Sequence, residues 1–322
     1  MNRFLKVALA LAFAMSLAYT SFAQTITPQG RLTLTTGTPV MYTNVTAAGT
    51  VYYTPYVGNN LPSPNGSGGY SNVSFSELTL TLPNLTYYPA GDIFVFYSAS
   101  SWKICTAPWS SSTSRGTGAS TTELTQIGGI LVNQYALSCY NSSTNYNVNA
   151  QYAVYVGSFV PNGGALDFTP QEPASVTGYS SHIGLWNAYN RVPIKAIALN
   201  SNGSWSNSSS AWAAANGNGG GWSVTWIDGY AESAVQASYD VIGVNSLSNG
   251  YADVGIGLDG STSPSGMTGQ VQGASTIGAH AVFTSLPLLG VSYVFPLERV
   301  GYGTETFYSG GPLSQLTVDI DY

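Results

Sequence analysis

The feature that most constrains the fold is a repeated apolar alternation with a period of two residues. In the segment 75–85, Leu78, Leu80 and Leu82 fall on one face of an extended chain and threonines fall on the other. The same alternation occurs in the segments 152–160, 223–241, 279–286 and 291–300. Clusters of Gly, Pro, Asn or Ser bound each segment. The run DIFVFY at 92–97 is continuously β-branched and aromatic, which predicts a strand buried on both faces.

No stretch of about 12 residues or more shows a helical period. Only two short segments, 186–189 and 211–215, are candidates for a helical turn. The sequence therefore predicts an all-β protein built from antiparallel β-sandwich modules.

The N-terminus predicts export from the cell. Arg3 and Lys6 precede an apolar run at 7–18, and the small residues Ser21 and Ala23 stand before Gln24. This is the layout of a secretory signal peptide over 1–23, and a retained N-terminal anchor is the alternative. No later stretch reaches about 18 apolar residues, so the sequence predicts no membrane insertion. We expect a secreted protein, extracellular or on the cell surface, with the periplasm as an alternative location.

The charge balance disfavours nucleic acid as a partner. The full chain carries 8 basic and 14 acidic residues, and without the signal peptide six basic residues remain, a net charge of −8. A negative chain with scattered cations offers no basic surface to phosphates. Charged residues make up only 7% of the chain, whereas 44% is hydrophobic and 13% aromatic. The chain therefore has ample material for a core and is not expected to be disordered.

The chain divides most naturally between residues 161 and 180. This stretch is rich in Pro and Gly and is typical of a linker. We predict an N-terminal β domain at 24–160 and a C-terminal β-sandwich domain at 181–322. A second polar stretch, 201–221, predicts a long exposed loop or a spacer.

Two cysteines, Cys105 and Cys139, lie 34 residues apart. An even cysteine count in an exported chain favours a disulfide. Two buried thiols or a metal site are the alternatives, and metal is disfavoured because neither CxxC spacing nor a nearby His is present.

Several segments together resemble a family of phage virion-appendage proteins, the tail-fibre-like or head-fibre-like proteins. The segments that carry the resemblance are RLTLTTGTPV (31–40), VYYTPYVGN (51–59), FSELTLTL (75–82), RGTGASTTEL (115–124), YVGSF (155–159), LWNAYNRVPI (185–194), VGIGLDGSTSPSG (254–266) and LERVGYGTETFYSGG (297–311). The resemblance implies an all-β appendage with a jelly-roll-like C-terminal module that serves structure or attachment. The signal peptide departs from that family and indicates an exported, host-encoded relative.

Catalytic patterns are weak. His182 and His280 lie 98 residues apart, and no G-x-S-x-G nucleophile motif is present. The carboxylate pair Asp253 and Asp259 would lie about 20 Å apart on a regular strand, which is too far for glycoside hydrolysis. A second candidate carboxylate pair, Glu232 and Asp240, flanks another strand-like segment. The sequence predicts no catalytic residue, and a secreted polysaccharide hydrolase or lyase is the alternative.

Metal and cofactor sites are likewise not predicted. Asp253, Asp259, Asp319 and Asp321 are candidate calcium ligands, but no calcium-loop motif surrounds them. We interpret these acids as solvated residues at strand ends and edges.

Aromatic side chains are the strongest candidates for ligand contact, because Tyr and Trp rings stack on sugars and proteins. Tyr52, Tyr53 and Tyr56 cluster in VYYTPY, and Trp205 and Trp212 lie in the polar stretch 201–221. The sequence therefore predicts a non-enzymatic surface protein for structure, adhesion or carbohydrate contact. Its expected partners are cell-surface or extracellular carbohydrate or protein, and self-association into a homo-oligomer is left open.

An outer-membrane β-barrel is a further alternative. Leu316, Val318, Ile320 and Tyr322 alternate with polar residues up to an aromatic C-terminus, as in the final strand of such barrels. The same pattern describes any half-buried strand, so it does not distinguish a membrane barrel from a β-sandwich.

Overall fold

The computed structural model describes residues 27–170, 180–200, 203–217, 221–260, 262–308 and 314–322. The predicted signal peptide, 1–23, lies outside the described residues, as does much of the predicted linker. The all-β prediction is confirmed: the described chain is made of strands, joined by turns and two short 3₁₀ turns, Leu85–Tyr87 and Ala215–Gly217. No helix in the described part is long and apolar enough to cross a membrane.

The strands of the first half are β1 (Gly30–Thr33), β2 (Val45–Ala48), β3 (Thr50–Pro55), β4 (Asn60–Pro64), β5 (Tyr70–Ser74), β6 (Leu78–Thr81), β7 (Gly91–Ser98), β8 (Ser101–Pro108), β9 (Leu124–Ile127), β10 (Ile130–Asn133), β11 (Leu137–Asn141), β12 (Thr144–Val148) and β13 (Val154–Phe159). The strands that follow are β14 (Leu166–Phe168), β15 (Ser181–Ile183), β16 (Leu185–Asn187), β17 (Pro193–Leu199), β18 (Ser204–Asn207), β19 (Ala213–Ala214), β20 (Val224–Asp228), β21 (Gln236–Asn245), β22 (Tyr251–Leu258), β23 (Gly269–Gln272), β24 (Ile277–Thr284), β25 (Gly290–Tyr302), β26 (Glu305–Tyr308) and β27 (Gln315–Asp321).

These strands form three larger sheets and two small ones. The first large sheet has the order β12-β11-β8-β7-β13-β10-β9, and β16 also pairs with β13. The second has the order β2-β14-β15-β20-β25-β22-β23, with β19 on β25, and the third has the order β17-β27-β21-β26-β18, with β24 on β21. The small sheets are β1-β3-β6 and β4-β5. Within the described residues every pair is antiparallel except β15 with β20.

The alternation seen in the sequence sets the inward face of each strand. In β27, Leu316, Val318 and Ile320 are buried, whereas Asp319 and Asp321 are exposed. Tyr322, which follows the strand, continues the buried series. The apolar series faces the core because successive side chains of a strand point to opposite sides.

Strand β7 is buried on both faces, as its sequence predicted. Ile93 and Val95 belong to the main core, whereas Phe94 and Phe96 belong to a second core on the other side of the sheet. The second core contains the disulfide between Cys105 and Cys139, whose Cα atoms lie 5.5 Å apart. The predicted disulfide is therefore confirmed, and it ties β8 to β11.

The C-terminal part is a jelly-roll-like sandwich. β20, β22, β23 and β25 lie in one sheet, and β21, β24, β26 and β27 lie in the facing sheet. Consecutive strands repeatedly cross from one sheet to the other. Their inner faces share a core that includes Val254 and Val300 from one sheet and Tyr239, Phe307 and Leu316 from the other.

The two halves of the chain exchange strands. β2, from the first half, pairs with β14 in the sheet of the C-terminal sandwich, and β16 pairs with β13 in the sheet of the first half. β14 lies inside the segment predicted as a linker, and 171–179 lie outside the described residues. Of the two candidate helical turns, 186–187 belong to strand β16, and a 3₁₀ turn begins at Ala215 at the end of the other.

Buried polar contacts reinforce this connection between the halves. Arg31 of β1 donates hydrogen bonds to the backbone oxygens of Asn190 and Tyr322. The Tyr322 hydroxyl donates to the Met41 carbonyl over 2.8 Å. The Arg115 guanidinium pairs with Asp92 of β7 and also donates to the Gly229 carbonyl, which follows β20.

Candidate functional site

The tyrosines of the VYYTPY segment occupy different environments. Tyr53 is buried, stacks on Phe75 with ring centroids 5.3 Å apart, and accepts a hydrogen bond from the Gly30 N–H. Tyr52 is half-buried, and Tyr56 is 42% exposed with the Arg31 guanidinium 5.5 Å from its ring centroid. Because the Tyr53 ring is packed in the core, we remove Tyr53 from the candidate contact surface. The contact roles of Tyr52 and Tyr56 stay predictions.

The two tryptophans selected from the polar stretch also differ. Trp205 is only 8% exposed, stacks on Phe307 at 5.4 Å and meets the edge of Trp222. Its position in the sandwich core corrects the expectation of an exposed loop, because β18 pairs with β26 and turns the indole inward. Trp212 is half-buried beneath the Arg299 guanidinium, 4.9 Å from the ring centroid, and its contact role stays a prediction.

A cleft lies where the stretch around Trp205 folds back onto β25. We call it the Glu298 cleft; its volume is about 310 Å³. It is lined by Trp205, Ser206, Asn207, Ala213, Ala214, Asn216, Gly217 and Glu298. Strand β18, strand β19 and the 3₁₀ turn that follows form its walls.

Glu298 lies in the cleft because of its place in β25. The inward positions of this strand include Pro296, Glu298 and Val300, so the carboxyl group points into the sandwich and is 3% exposed. Ala213 of β19 lies directly opposite Glu298, and this small residue leaves space for the cleft.

Three donors converge on the Glu298 carboxyl group. The Trp205 indole Nε1–H donates to Oε2 over 2.8 Å, and Asn207 Nδ2 donates to Oε1 over 3.1 Å. The backbone N–H of Asn216 donates to Oε1 over 3.3 Å. Asn216 has a φ of +57°, a left-handed conformation that Asn tolerates better than most residues, and this turn presents the N–H.

Burial raises the pKa of Glu298 to about 7. The hydrogen bonds from Trp205, Asn216 and Asn207 oppose the rise, and nearby Glu305 adds to it. A carboxyl group with this pKa exists in both protonation states near neutral pH. It is therefore able to donate or accept a proton, or to bind a cation when ionised.

Glu305 is a second buried carboxyl group in the same sandwich. Its Oε2 accepts a hydrogen bond from Asn245 Nδ2 over 3.1 Å, and its Oε1 has no hydrogen-bond partner within the described residues. Burial raises the pKa of Glu305 to about 7 as well. A Cβ atom at Gly243 would clash with Oε1, so glycine leaves the space that the carboxyl group occupies.

The acids considered from the sequence have separate partners. Asp253 pairs with Arg299 and accepts from Gln270, whereas Asp259 accepts from the Tyr293 N–H. Asp319 pairs with Lys195 on the surface. In the part of the chain that the structure describes, no three His, Cys, Asp or Glu residues cluster to hold a metal ion.

The remaining candidates from the sequence also lie apart from the cleft. The half-exposed ring of His280 contacts Asp240 over 2.7 Å across β21 and β24. His182 lies near the Val160 carbonyl, and burial lowers its pKa. Glu232 pairs with Arg191.

Sequence reasoning missed Glu298, Glu305, Asn207 and Asn216. One available signal was the phase of the alternation, because Glu298 falls at a core-facing position of 291–300. The two asparagines carry no comparable signal, since their role depends on how 203–217 folds back onto β25.

The fold and the cleft define an all-β, disulfide-bonded sandwich protein with a buried carboxyl group in a small cleft. No protein-family model matches the chain, and no curated protein matches it. Among solved structures, it is similar to a Bacillus thuringiensis Cry1Da tryptic core variant at 6% identity and a TM-score of 0.20, covering 85% of this chain and 48% of that one. A second similar structure is that of a glycoside hydrolase family 43 arabinoxylan arabinofuranohydrolase from Bacillus subtilis, in complex with cellotetraose.

For the arabinofuranohydrolase, the identity is 13% and the TM-score 0.21, with 83% of this chain and 63% of that one covered. The chain thus spans about half of the first protein's length and less than two thirds of the second's. TM-scores this low support no inference about function.

Proposed function

We propose that this chain is an exported, non-enzymatic surface or appendage protein that contacts extracellular carbohydrate through the Glu298 cleft. The observation that carries the proposal is the convergence of an indole, two asparagines and a buried carboxyl group on one small cleft. Hydrogen-bonding amides beside a carboxyl group are suited to the hydroxyl groups of a sugar.

The disulfide supports the exported part of the proposal. Disulfides persist in oxidising compartments and are rare in the cytosol. Together with the signal-peptide pattern at 1–23, Cys105 and Cys139 favour a location outside the cytoplasm.

The low charge content and the exposed tyrosines support the surface role. Tyr42, Tyr56, Tyr87 and Tyr302 are exposed by 42% or more, and exposed aromatic rings are frequent at contact surfaces. The resemblance to phage tail-fibre-like proteins supports an appendage or attachment role.

Binding to a panel of immobilised oligosaccharides tests the proposal with the full-length chain. We expect at least one glycan to bind and Glu298→Gln to weaken that binding by about tenfold or more, the scale of a lost charged hydrogen bond. Glu305→Gln is the matched control, because it alters a buried glutamate of the same sandwich that does not line the cleft. Glycan binding that Glu298→Gln leaves unchanged would remove the cleft from the proposal.

A polysaccharide-active enzyme is the second candidate, and one observation favours it. Glu298 and Glu305 are two buried carboxyl groups with pKa values of about 7, and the charge of Glu305 contributes to the raised pKa of Glu298. Glycoside hydrolysis uses two carboxyl groups on either side of the scissile bond, whereas Glu305 is not among the described lining residues of the cleft. Release of reducing ends from a polysaccharide, abolished by Glu298→Gln, would establish the enzyme and overturn the non-enzymatic proposal.

A further inference from the structure

Unlike Asp92 and Asp253, the buried carboxyl group of Glu298 has no basic partner within the described residues. Asp92 pairs with Arg115 over 2.6 Å, and Asp253 pairs with Arg299 over 2.8 Å. In the described part of the chain, Glu298 belongs to no salt bridge, and its three hydrogen-bond donors are neutral groups. The ionised carboxylate is therefore hydrogen-bonded but not neutralised.

A buried charge without a counterion is unfavourable, and an opposite charge offsets much of that penalty. Glu298 also faces a cleft that opens to solvent, unlike Asp92, which is fully buried. A cationic group that enters the cleft would lie beside the carboxyl group, which lines it.

The cleft also contains an unused hydrogen-bond donor. Asn216 Nδ2 is buried and has no partner within the described residues. An acceptor oxygen of a ligand would satisfy this donor once the Asn216 side chain turns toward the cleft. A ligand that carries a cation for Glu298 and a nearby oxygen for Asn216 would therefore satisfy both groups.

We propose that the Glu298 cleft selects glycans that carry a positively charged amino group beside hydroxyl groups, the chemical class of amino sugars that are not N-acetylated. This inference rests on the proposed carbohydrate contact and names its ligand class. An ammonium group supplies the missing countercharge, and a hydroxyl or ring oxygen accepts from Asn216 Nδ2. The volume of about 310 Å³ is at the small end of ligand pockets and suits a single sugar residue.

The ionisation of Glu298 makes this selectivity dependent on pH. The ionisable groups that interact with Glu298 are Glu305 of β26 and Tyr239 of β21. Burial raises the pKa of Glu298 to about 7, so the fraction of ionised carboxylate falls roughly tenfold between pH 8 and pH 6. Affinity for a cation should fall in parallel.

Isothermal titration of the full-length chain tests the inference with three chemically related probes. The probes are a fully deacetylated chitosan oligosaccharide, its N-acetylated counterpart, and its N-trimethylated derivative, whose charge does not change with pH. At pH 8 the amino groups of the deacetylated probe are largely neutral, so we expect the N-trimethylated probe to bind most tightly, at least about tenfold more tightly than the acetylated one. Binding of the N-trimethylated probe should weaken roughly tenfold at pH 6.

Two variants test whether Glu298 causes the preference for cationic probes and its dependence on pH. Glu298→Gln should remove the preference for cationic probes and its pH dependence. Glu305→Gln should keep the preference and shift its pH dependence to lower pH, because the charge of Glu305 raises the pKa of Glu298. Circular dichroism and thermal unfolding of both variants establish that they are folded.

The outcomes separate the inference from the proposed function. Equal affinity for cationic and acetylated probes, with both lost in Glu298→Gln, would overturn the inference and leave carbohydrate contact standing. Cationic probes that bind wild type and Glu298→Gln alike, and only at low salt, would reveal general charge attraction and overturn the inference. Failure of every probe and of every glycan in the panel would overturn both.

Discussion

Replacing Glu298 by glutamine should make the free energy of unfolding less dependent on pH. The carboxyl group is 3% exposed in the folded protein and solvated in the unfolded chain. Glutamine has nearly the same shape and does not ionise. The comparison therefore isolates the effect of burying one carboxyl group beneath Trp205.

The magnitude follows from the shift in pKa. Burial raises the pKa of Glu298 from 4.5 to about 7, so the folded state favours the protonated form. One pKa unit corresponds to about 1.4 kcal/mol, and the shift therefore corresponds to about 3 kcal/mol. For a raised acid pKa, this stabilisation is fully present below pH 4.5 and is lost as the pH rises through about 7.

Urea unfolding monitored by tryptophan fluorescence between pH 4.5 and pH 8.5 measures the effect. The wild-type protein should lose about 3 kcal/mol more than Glu298→Gln over this range. Part of the wild-type slope should persist in the variant, because burial also raises the pKa values of Glu305 and Asp228 to about 7. Glu232→Gln, at a half-exposed ion pair with Arg191, is the matched control. Parallel curves for wild type and Glu298→Gln would refute the reasoning.

Three further predictions concern the scaffold. Replacing both Cys105 and Cys139 by alanine should lower the free energy of unfolding by about 3–4 kcal/mol, as measured by urea unfolding, because the disulfide closes a loop of 34 residues. Arg115→Met should lower the free energy of unfolding by about 3–5 kcal/mol, because it leaves the buried Asp92 without its cationic partner. Lys195→Met, at an exposed ion pair with Asp319, should lower it by less than about 1 kcal/mol. Equal losses for the two variants in urea unfolding would contradict this prediction. The full chain should unfold in one transition seen alike by fluorescence and circular dichroism, because β2 and β16 cross between the halves; two separated transitions would contradict this.

The strands were the part of the fold that the sequence could predict. Alternation identifies the inward face of β27 and the two buried faces of β7 from local information, since the side-chain direction depends only on position along a strand. The disulfide was also predictable, because only two cysteines are present. Neither prediction required knowledge of which strands pair.

Strand pairing was the part that local pattern could not supply. β2 joins β14 and β16 joins β13, so the segment 161–180 contributes a strand where its composition predicts a linker. Composition indicates where the chain can turn, but it does not indicate whether a short segment such as Leu166–Phe168 pairs with another strand. The burial of Trp205 has the same origin, because its partner strand β26 begins about one hundred residues later in the chain.

The candidate site shows how the same alternation can also indicate function. A carboxylate in a strand usually falls on the solvent face, as Asp319 does between Thr317 and Asp321. Glu298 instead shares its face with Pro296 and Val300, so its charge is directed into the core, where it requires donors or a counterion. A charged residue in the apolar phase of a strand therefore indicates a buried polar site before any partner is known. In this protein the partners are the Trp205 indole and two asparagine groups, and none of them supplies the positive charge that Glu298 lacks.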